Sequence, residues 1–250
     1  MDGQLVIEGN LISYNQAGTG ERPVVFLHGW RSSKEVWKDQ MLKIKDKGLR
    51  MYALDLPGFG ASPAPMKPWT VGDYARIVQK FIEKLELKNI IAVGHSFGGR
   101  VGVKLAADYP DLIFQLILVD SAGFVSTGRK QILLNWVAAL VRPFFRPKFM
   151  QGLRKRIYRM LGAGDYLATP ELRETFLNVI GEDLSEDMKK IACPALIIFG
   201  ENDNDTPVSY GERMKSYIRN SKLEVLENAG HFSFLDQPDN FTEKVINFIR

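Results

Sequence analysis

The 250-residue chain holds a single cysteine, Cys193. One thiol excludes an internal disulfide and fits a reducing compartment. Cys193 stands just before Pro194 at the head of an apolar run, a setting for a buried structural thiol and not for a nucleophile. Long hydrophobic runs are also missing. The nearest approach, residues 132–141, spans ten residues, against the roughly 20 needed to cross a bilayer. The opening Met1-Asp2-Gly3-Gln4 has neither the basic nor the apolar region of a signal peptide, so a cytoplasmic protein is expected. Histidine is scarce, with only three in the chain, which lets any imidazole chemistry be traced by elimination. Acid is absent from one stretch: residues 121–164 carry nine Lys or Arg and no Asp or Glu. The whole chain has a net charge of +4. That segment supplies all of the excess, because the remainder holds 24 basic and 29 acidic residues.

Short apolar runs alternate with longer amphipathic ones. Strands are predicted over 5–7, 11–15, 24–28, 50–54, 90–94, 116–120, 195–200 and 222–226. Helices are predicted over 35–47, 70–85, 97–109, 208–218 and 239–249. Val24-Val25-Phe26-Leu27 and Leu196-Ile197-Ile198-Phe199 are apolar throughout, as strands covered on both faces require. The pattern predicts an α/β fold: a mostly parallel sheet of about eight strands with helices on both faces. The first two strands, split at Gly9-Asn10, predict an antiparallel edge hairpin. From 123 to 187 no strand pattern occurs, only helical segments over 129–141 and 147–160 and a third begun by Thr169-Pro170-Glu171. The chain therefore divides into a core, residues 1–122 and 188–250, and an all-helical insertion, residues 123–187.

Gly94-His95-Ser96-Phe97-Gly98-Gly99 lies at a strand-to-helix junction. A serine between two glycines there fits the nucleophile-elbow pattern G-x-S-x-G, in which a strained turn lifts the hydroxyl above the sheet edge. A serine hydroxyl is weakly nucleophilic near neutral pH and needs a base, normally histidine oriented by a carboxylate. His95 adjoins Ser96, where the turn directs the two side chains apart. His28 ends a strand. His231, in the loop Asn228-Ala229-Gly230-His231-Phe232 between the last strand and last helix, is left as the base. The carboxylate is expected from the loop Gly200-Glu201-Asn202-Asp203-Asn204-Asp205, with Asp203 preferred, Asp205 second and Asp120, at the end of the preceding strand, third. The backbone N–H groups of Phe97 and Trp30 are the expected donors to a reaction oxyanion. His28 is then structural. This chemistry calls for no cofactor and no metal.

These pieces together resemble the α/β-hydrolase fold superfamily, in its serine-nucleophile, esterase- and lipase-like branch. The resemblance rests on Phe26-Leu27-His28-Gly29-Trp30, Asp55-Leu56-Pro57-Gly58-Phe59-Gly60-Ala61-Ser62, the Gly94–Gly99 elbow, Gly200-Glu201-Asn202-Asp203 with Pro207, and Ala229-Gly230-His231, in that order along nearly the whole chain. The chain order Ser, Asp, His is that of this fold. The resemblance makes the 55–62 stretch a structural turn, so Ser62 is no nucleophile. It also places the acid three residues after the glycine, at Asp203, and makes the 123–187 insertion a helical cap over the site. Relatives with an aspartate nucleophile are disfavoured by Ser96.

The expected activity is that of a carboxylesterase on small to medium acyl or aromatic esters, lactones included. Phe124, Leu133, Trp136, Val137 and Leu140 are the candidate substrate pocket. The basic stretch from Arg142 to Arg159 is the place for an anionic partner, either an acidic protein or a lipid surface. Leu27-His28-Gly29-Trp30 followed by Glu35-Val36-Trp37 resembles esterases that demethylate pimeloyl esters on an acyl carrier protein, and a monoacylglycerol or lysolipid hydrolase is the lipid counterpart. Ligand perception on the same fold is the reading from another class. Nucleic-acid binding is not expected, since the excess positive charge is confined to one segment and no nucleic-acid module is present.

Overall fold

The computed structural model describes residues 1–125 and 169–250. The helical segments expected over 129–141 and 147–160 lie outside the described residues. So do the pocket candidates Leu133, Trp136, Val137 and Leu140 and the basic stretch at 142–159.

The spine is one eight-stranded sheet of strands β1 (Asp2–Ile7), β2 (Asn10–Ala17), β3 (Arg22–Leu27), β4 (Leu49–Leu54), β5 (Ile90–His95), β6 (Ile113–Val119), β7 (Ala195–Gly200) and β8 (Ser221–Leu226). Their spatial order is β1-β2-β4-β3-β5-β6-β7-β8. The β1–β2 and β2–β4 pairs are antiparallel, and every other pairing is parallel. The edge hairpin turns one residue earlier than its sequence suggests. Glu8 and Gly9 both adopt positive φ, 48° and 79°, as a two-residue type I′ connection demands. Asn10 belongs to β2, and its side-chain amide donates back to the Glu8 carbonyl at 3.1 Å.

Side-chain alternation splits the central strands between two apolar layers. Val25, Leu27, Ala92, Leu116, Leu118, Ile197 and Phe199 pack with helices α2 (Val71–Lys84) and α3 (Phe97–Asp108). Val24, Phe26, Ile91, Val93, Ile117, Val119 and Ile198 pack on the other face, with α1 (Lys38–Ile44) and the C-terminal helix, Pro238–Ile249. Helices α4 (Arg173–Gly181), α5 (Ser185–Lys190) and α6 (Val208–Tyr217) follow the undescribed segment, and the one-turn α7 (Ser233–Asp236) precedes that last helix, α8. The segment read as one helix over 35–47 is a 3-10 turn, Lys34–Trp37, running into α1. Strand β6 starts at Ile113 and not at 116. Phe114 is half exposed beside buried Ile113 and Gln115, so its first turn lacks the apolar run that marks a covered strand.

All six parallel strands, β3 to β8, end at the same edge. The residues that follow β3, β5, β6, β7 and β8 are therefore gathered there: Trp30, Ser96, Asp120, Asp203 and His231. That is where open α/β sheets place their sites.

Candidate active site

Ser96 joins β5 directly to α3 and has φ 50° and ψ −109°, a strained conformation for a residue with a side chain. Backbone hydrogen bonds over-determine it. Ser96 N–H donates to Val119 O at 3.0 Å, and Ser96 O accepts from Gly99 N–H at 3.1 Å and Ala122 N–H at 3.2 Å. The glycines are there for space. A Cβ on Gly94 would strike the backbone at Gly98, and one on Gly98 would lie 2.6 Å from Leu27 C and 2.7 Å from His28 O. A Cβ on Gly29 would come 2.8 Å from His95 Nδ1 and 3.3 Å from Ser96 Cβ, so the loop carrying Trp30 passes directly beside the serine. Phe97 is the first residue of α3, and its N–H is one of the donors a helix leaves unused at its start.

Ser96 Oγ lies 3.1 Å from His231 Nε2, and His231 Nδ1 lies 2.9 Å from Asp203 Oδ2. Asp203 is fixed from its own loop: Oδ1 accepts from Asp205 N–H at 2.8 Å and Thr206 N–H at 3.0 Å. With both oxygens of Asp203 acting as acceptors, the ordering donor to Oδ2 is His231 Nδ1–H, leaving Nε2 with the lone pair that faces Ser96. Burial would lower the pKa of His231, but the hydrogen bond and charge of Asp203, reinforced by Asp120 and Asp205, hold it above the ordinary imidazole value. Burial likewise opposes ionisation of Asp203, and the hydrogen bonds from His231 and Thr206 override it and hold its pKa below the usual carboxylate range.

The remaining candidates take other positions. Asp205 is exposed and meets Asp203 through its backbone N–H. Asp120 is fully buried. Its Oδ1 accepts from Gly200 N–H at 2.8 Å, and its Oδ2 accepts from Ser233 N–H at 3.0 Å and Ser233 Oγ–H at 2.6 Å. Burial, aided by the Asp203 charge, pushes its carboxyl up to about 7 despite those hydrogen bonds. His28 accepts from Leu56 N–H at Nε2 and contacts Gly29 O at Nδ1, 3.0 and 2.7 Å away. Those partners require the neutral Nδ1–H tautomer, and burial pushes its pKa down to about 4. Ser62 is a buried strut, donating to Asp55 O and accepting from Ser13 N–H. The ring of Phe124 is buried against α6, 5.4 Å from Tyr210 and beneath the Arg213 guanidinium at 3.8 Å. Cys193 is half-buried, and burial raises its thiol to about 11.

Two contacts have no counterpart in the sequence reading. His95 is buried, with Nε2 2.7 Å from the main-chain carbonyl of His231, and burial first, then the neighbouring imidazole, pushes its pKa down to about 3. The neutral ring thus donates to the backbone of the very residue it was set aside in favour of. Thr206 Oγ1 lies 2.7 Å from Asp203 Oδ2 and 3.2 Å from His231 Nδ1. The Asp-x-x-Thr spacing, typical of a side chain closing its own loop, was the available signal for Thr206. Nothing local marks His95, whose partner is 136 residues away.

Asp203, Asp205 and His231 also bring ligand-type atoms within 4.8 Å of one another. The oxygens of Asp203 and the Nδ1 of His231 already satisfy one another and the loop backbone, so the trio is a hydrogen-bonded acid–base pair and not an open donor set.

A model of the alpha/beta hydrolase family matches residues 24–244. The chain belongs to this family. It is 28% identical to the monoacylglycerol lipase ABHD6 of Bos taurus, over 92% of this chain and 76% of the relative. It is 25% identical to a 2-hydroxy-6-oxononadienedioate/2-hydroxy-6-oxononatrienedioate hydrolase of a Pseudomonas species, over 98% and 94%. Among solved structures it resembles the esterase EaEST from Exiguobacterium antarcticum, with a TM-score of 0.80 and 27% identity over 100% of this chain and 99% of that one. Among alpha/beta hydrolases this chain is therefore akin to hydrolytic enzymes. No helix among its described residues is long and apolar enough to cross a membrane.

Proposed function

We propose that this hydrolase cleaves carboxylic esters through an acyl-enzyme on Ser96. One observation carries the reading: an unbroken chain from Ser96 Oγ to His231 to Asp203, with links of 3.1 and 2.9 Å, on a serine whose backbone is strained at φ 50°. His231 Nε2 takes the Ser96 proton as Oγ attacks the ester carbonyl carbon. The carbonyl oxygen becomes an oxyanion, met by the N–H groups of Phe97 and Trp30, each donor typically worth about 3 kcal/mol in the barrier. Collapse expels the alcohol, which leaves with the proton from His231. Water then repeats the sequence on the acyl-Ser96 ester, releasing the acid. Asp203 keeps Nδ1 protonated throughout and stabilises the imidazolium.

Half-buried Trp30 lies edge-on to Phe97 at 5.2 Å and Phe59 at 4.9 Å and packs against Phe176 of α4 at 5.1 Å. This aromatic wall beside Ser96 supports apolar or aromatic acyl groups. A fluorophosphonate should label Ser96 covalently, and chromogenic esters of increasing acyl length, with a monoacylglycerol and a lactone in the panel, should be turned over. Ser96→Ala should abolish both labelling and turnover. Normal esterase activity in that variant would overturn the assignment.

A further inference from the structure

Asp120 is a buried carboxylate whose contacts all lead to the two loops that carry His231 and Asp203. It occupies a left-handed conformation, φ 43°, uncommon for a residue with a side chain. This turn sends its carboxylate and its main-chain carbonyl to different partners. Oδ1 takes the N–H of Gly200, the last residue of β7 and the root of the Asp203 loop. Oδ2 takes the N–H and hydroxyl of Ser233, two residues beyond His231. The carbonyl oxygen lies 2.9 Å from Thr206 Oγ1, whose single proton is shared between it and Asp203 Oδ2 at 2.7 Å and whose oxygen also faces His231 Nδ1. Asp120, Thr206 and Ser233 are all buried.

We propose that Asp120 is a positioning residue for the Ser96–His231–Asp203 chain: its carboxylate ties the Asp203 loop to the His231 loop, and its carbonyl sets the Thr206 hydroxyl against the His231–Asp203 contact. The inference rests on the acyl-enzyme reading above. Fixing the imidazole from two loops at once requires a group that accepts on every side. The three donors to its carboxylate leave no room for an amide, whose NH2 would have to face either the Gly200 N–H or the Ser233 N–H. Asp120→Asn can therefore hold only one loop, while keeping the size of the side chain. Thr206→Val removes the hydroxyl and keeps the shape, and Thr206→Ser restores it.

The test is kcat per active site, with sites counted by fluorophosphonate labelling, together with KM for a chromogenic ester. Asp120→Asn and Thr206→Val should each lower kcat on the order of 10- to 100-fold, as expected for a reacting group displaced by up to about 1 Å. KM should stay within about twofold, and Thr206→Ser should recover most of the lost rate. A second readout needs no turnover: the low-field proton resonance of His231 Nδ1–H should shift upfield or vanish in both variants. A structural role alone would reduce the number of labelled sites and leave each turning over at the wild-type rate. Wild-type kcat per site with an unmoved resonance in both variants would overturn the inference. Failure of wild-type Ser96 to react would instead overturn the acyl-enzyme reading. The resonance alone would then decide the role of Asp120, unchanged in both variants counting against it.

Discussion

Two glycines on α3 should respond oppositely to the same substitution, and the difference measures how tightly the elbow is packed. A Cβ at Gly98 would lie 2.6 Å from Leu27 C and 2.7 Å from His28 O. These are backbone atoms at the end of β3, which cannot turn aside as a side chain can. Ordinary contact begins at 3.4 Å, so Gly98→Ala must part α3 from β3 by at least 0.8 Å to relieve the Leu27 contact. The two elements carry the proposed oxyanion donors, Phe97 and Trp30, so the strain falls directly on the gap between them. Overpacking of this kind costs about 1–3 kcal/mol of stability, and a displacement near 1 Å costs on the order of 100-fold in rate. Gly102, one turn further on, would place its Cβ 3.3 Å from Leu116 Cδ1 and 4.0 Å from Leu118 Cδ2, the ends of rotatable side chains. There the gain in helix propensity, up to about 1 kcal/mol, should leave stability equal or higher and kcat unchanged. Thermal midpoints and ester turnover per labelled site for both variants decide the matter. Wild-type turnover in Gly98→Ala would refute the claim that this contact sets the elbow's geometry.

In the proposed mechanism neutral His231 acts as the base, and its pKa is raised, so activity should be lost as pH falls through a value above the ordinary imidazole figure of about 6.5. A pH profile of kcat/KM with its acid limb at or below that figure would contradict the pairing with Asp203. Asp203→Asn should cut kcat by roughly 10,000-fold by favouring the wrong tautomer; retention of activity there, with loss at Asp205→Asn, would transfer the role to Asp205. Arg100, buried on α3, donates to Glu182 O at 2.7 Å and Phe124 O at 3.0 Å, holding together chain on either side of the 126–168 segment. Arg100→Met should cost about 2–4 kcal/mol by stranding two carbonyls and lower the thermal midpoint by roughly 5–15 °C; an unchanged midpoint in a melting experiment would show the clamp to be idle.

The parts of the fold that could be read from the sequence were those where one local signal dominated. Strand β7 spans residues 195–200, as expected, because Pro194 and the polar loop after Gly200 bracket an unbroken apolar run. The Glu8–Gly9 turn was displaced by one residue because Asn-containing turns usually place Asn at positive φ, whereas Asn10 here serves β2 and braces the turn by side chain. At the site, scarcity of histidine isolated His231 without any structure. The carboxylate was harder. Asp203, Asp205 and Asp120 all sit on loops at the same sheet edge, and chain order alone does not say which one faces Nδ1. That choice depends on the directions of side chains from three different strands, which is tertiary information.

The physical reason Asp203 and not Asp120 meets the imidazole lies in what each carboxylate has left to accept. Asp120 has no exposed surface, and its two oxygens are committed to three donors from Gly200 and Ser233. Turning either oxygen toward His231 would strand a buried N–H, at about 1–3 kcal/mol, and bring the second carboxylate closer to the first. Asp203 instead satisfies its loop through Oδ1 and leaves Oδ2 to Thr206 and His231. One acid is therefore spent on holding the loops and the other is free to meet His231. The Thr206 hydroxyl, between the carbonyl of the first and the carboxylate of the second, is the group through which a displacement of Asp120 must reach His231.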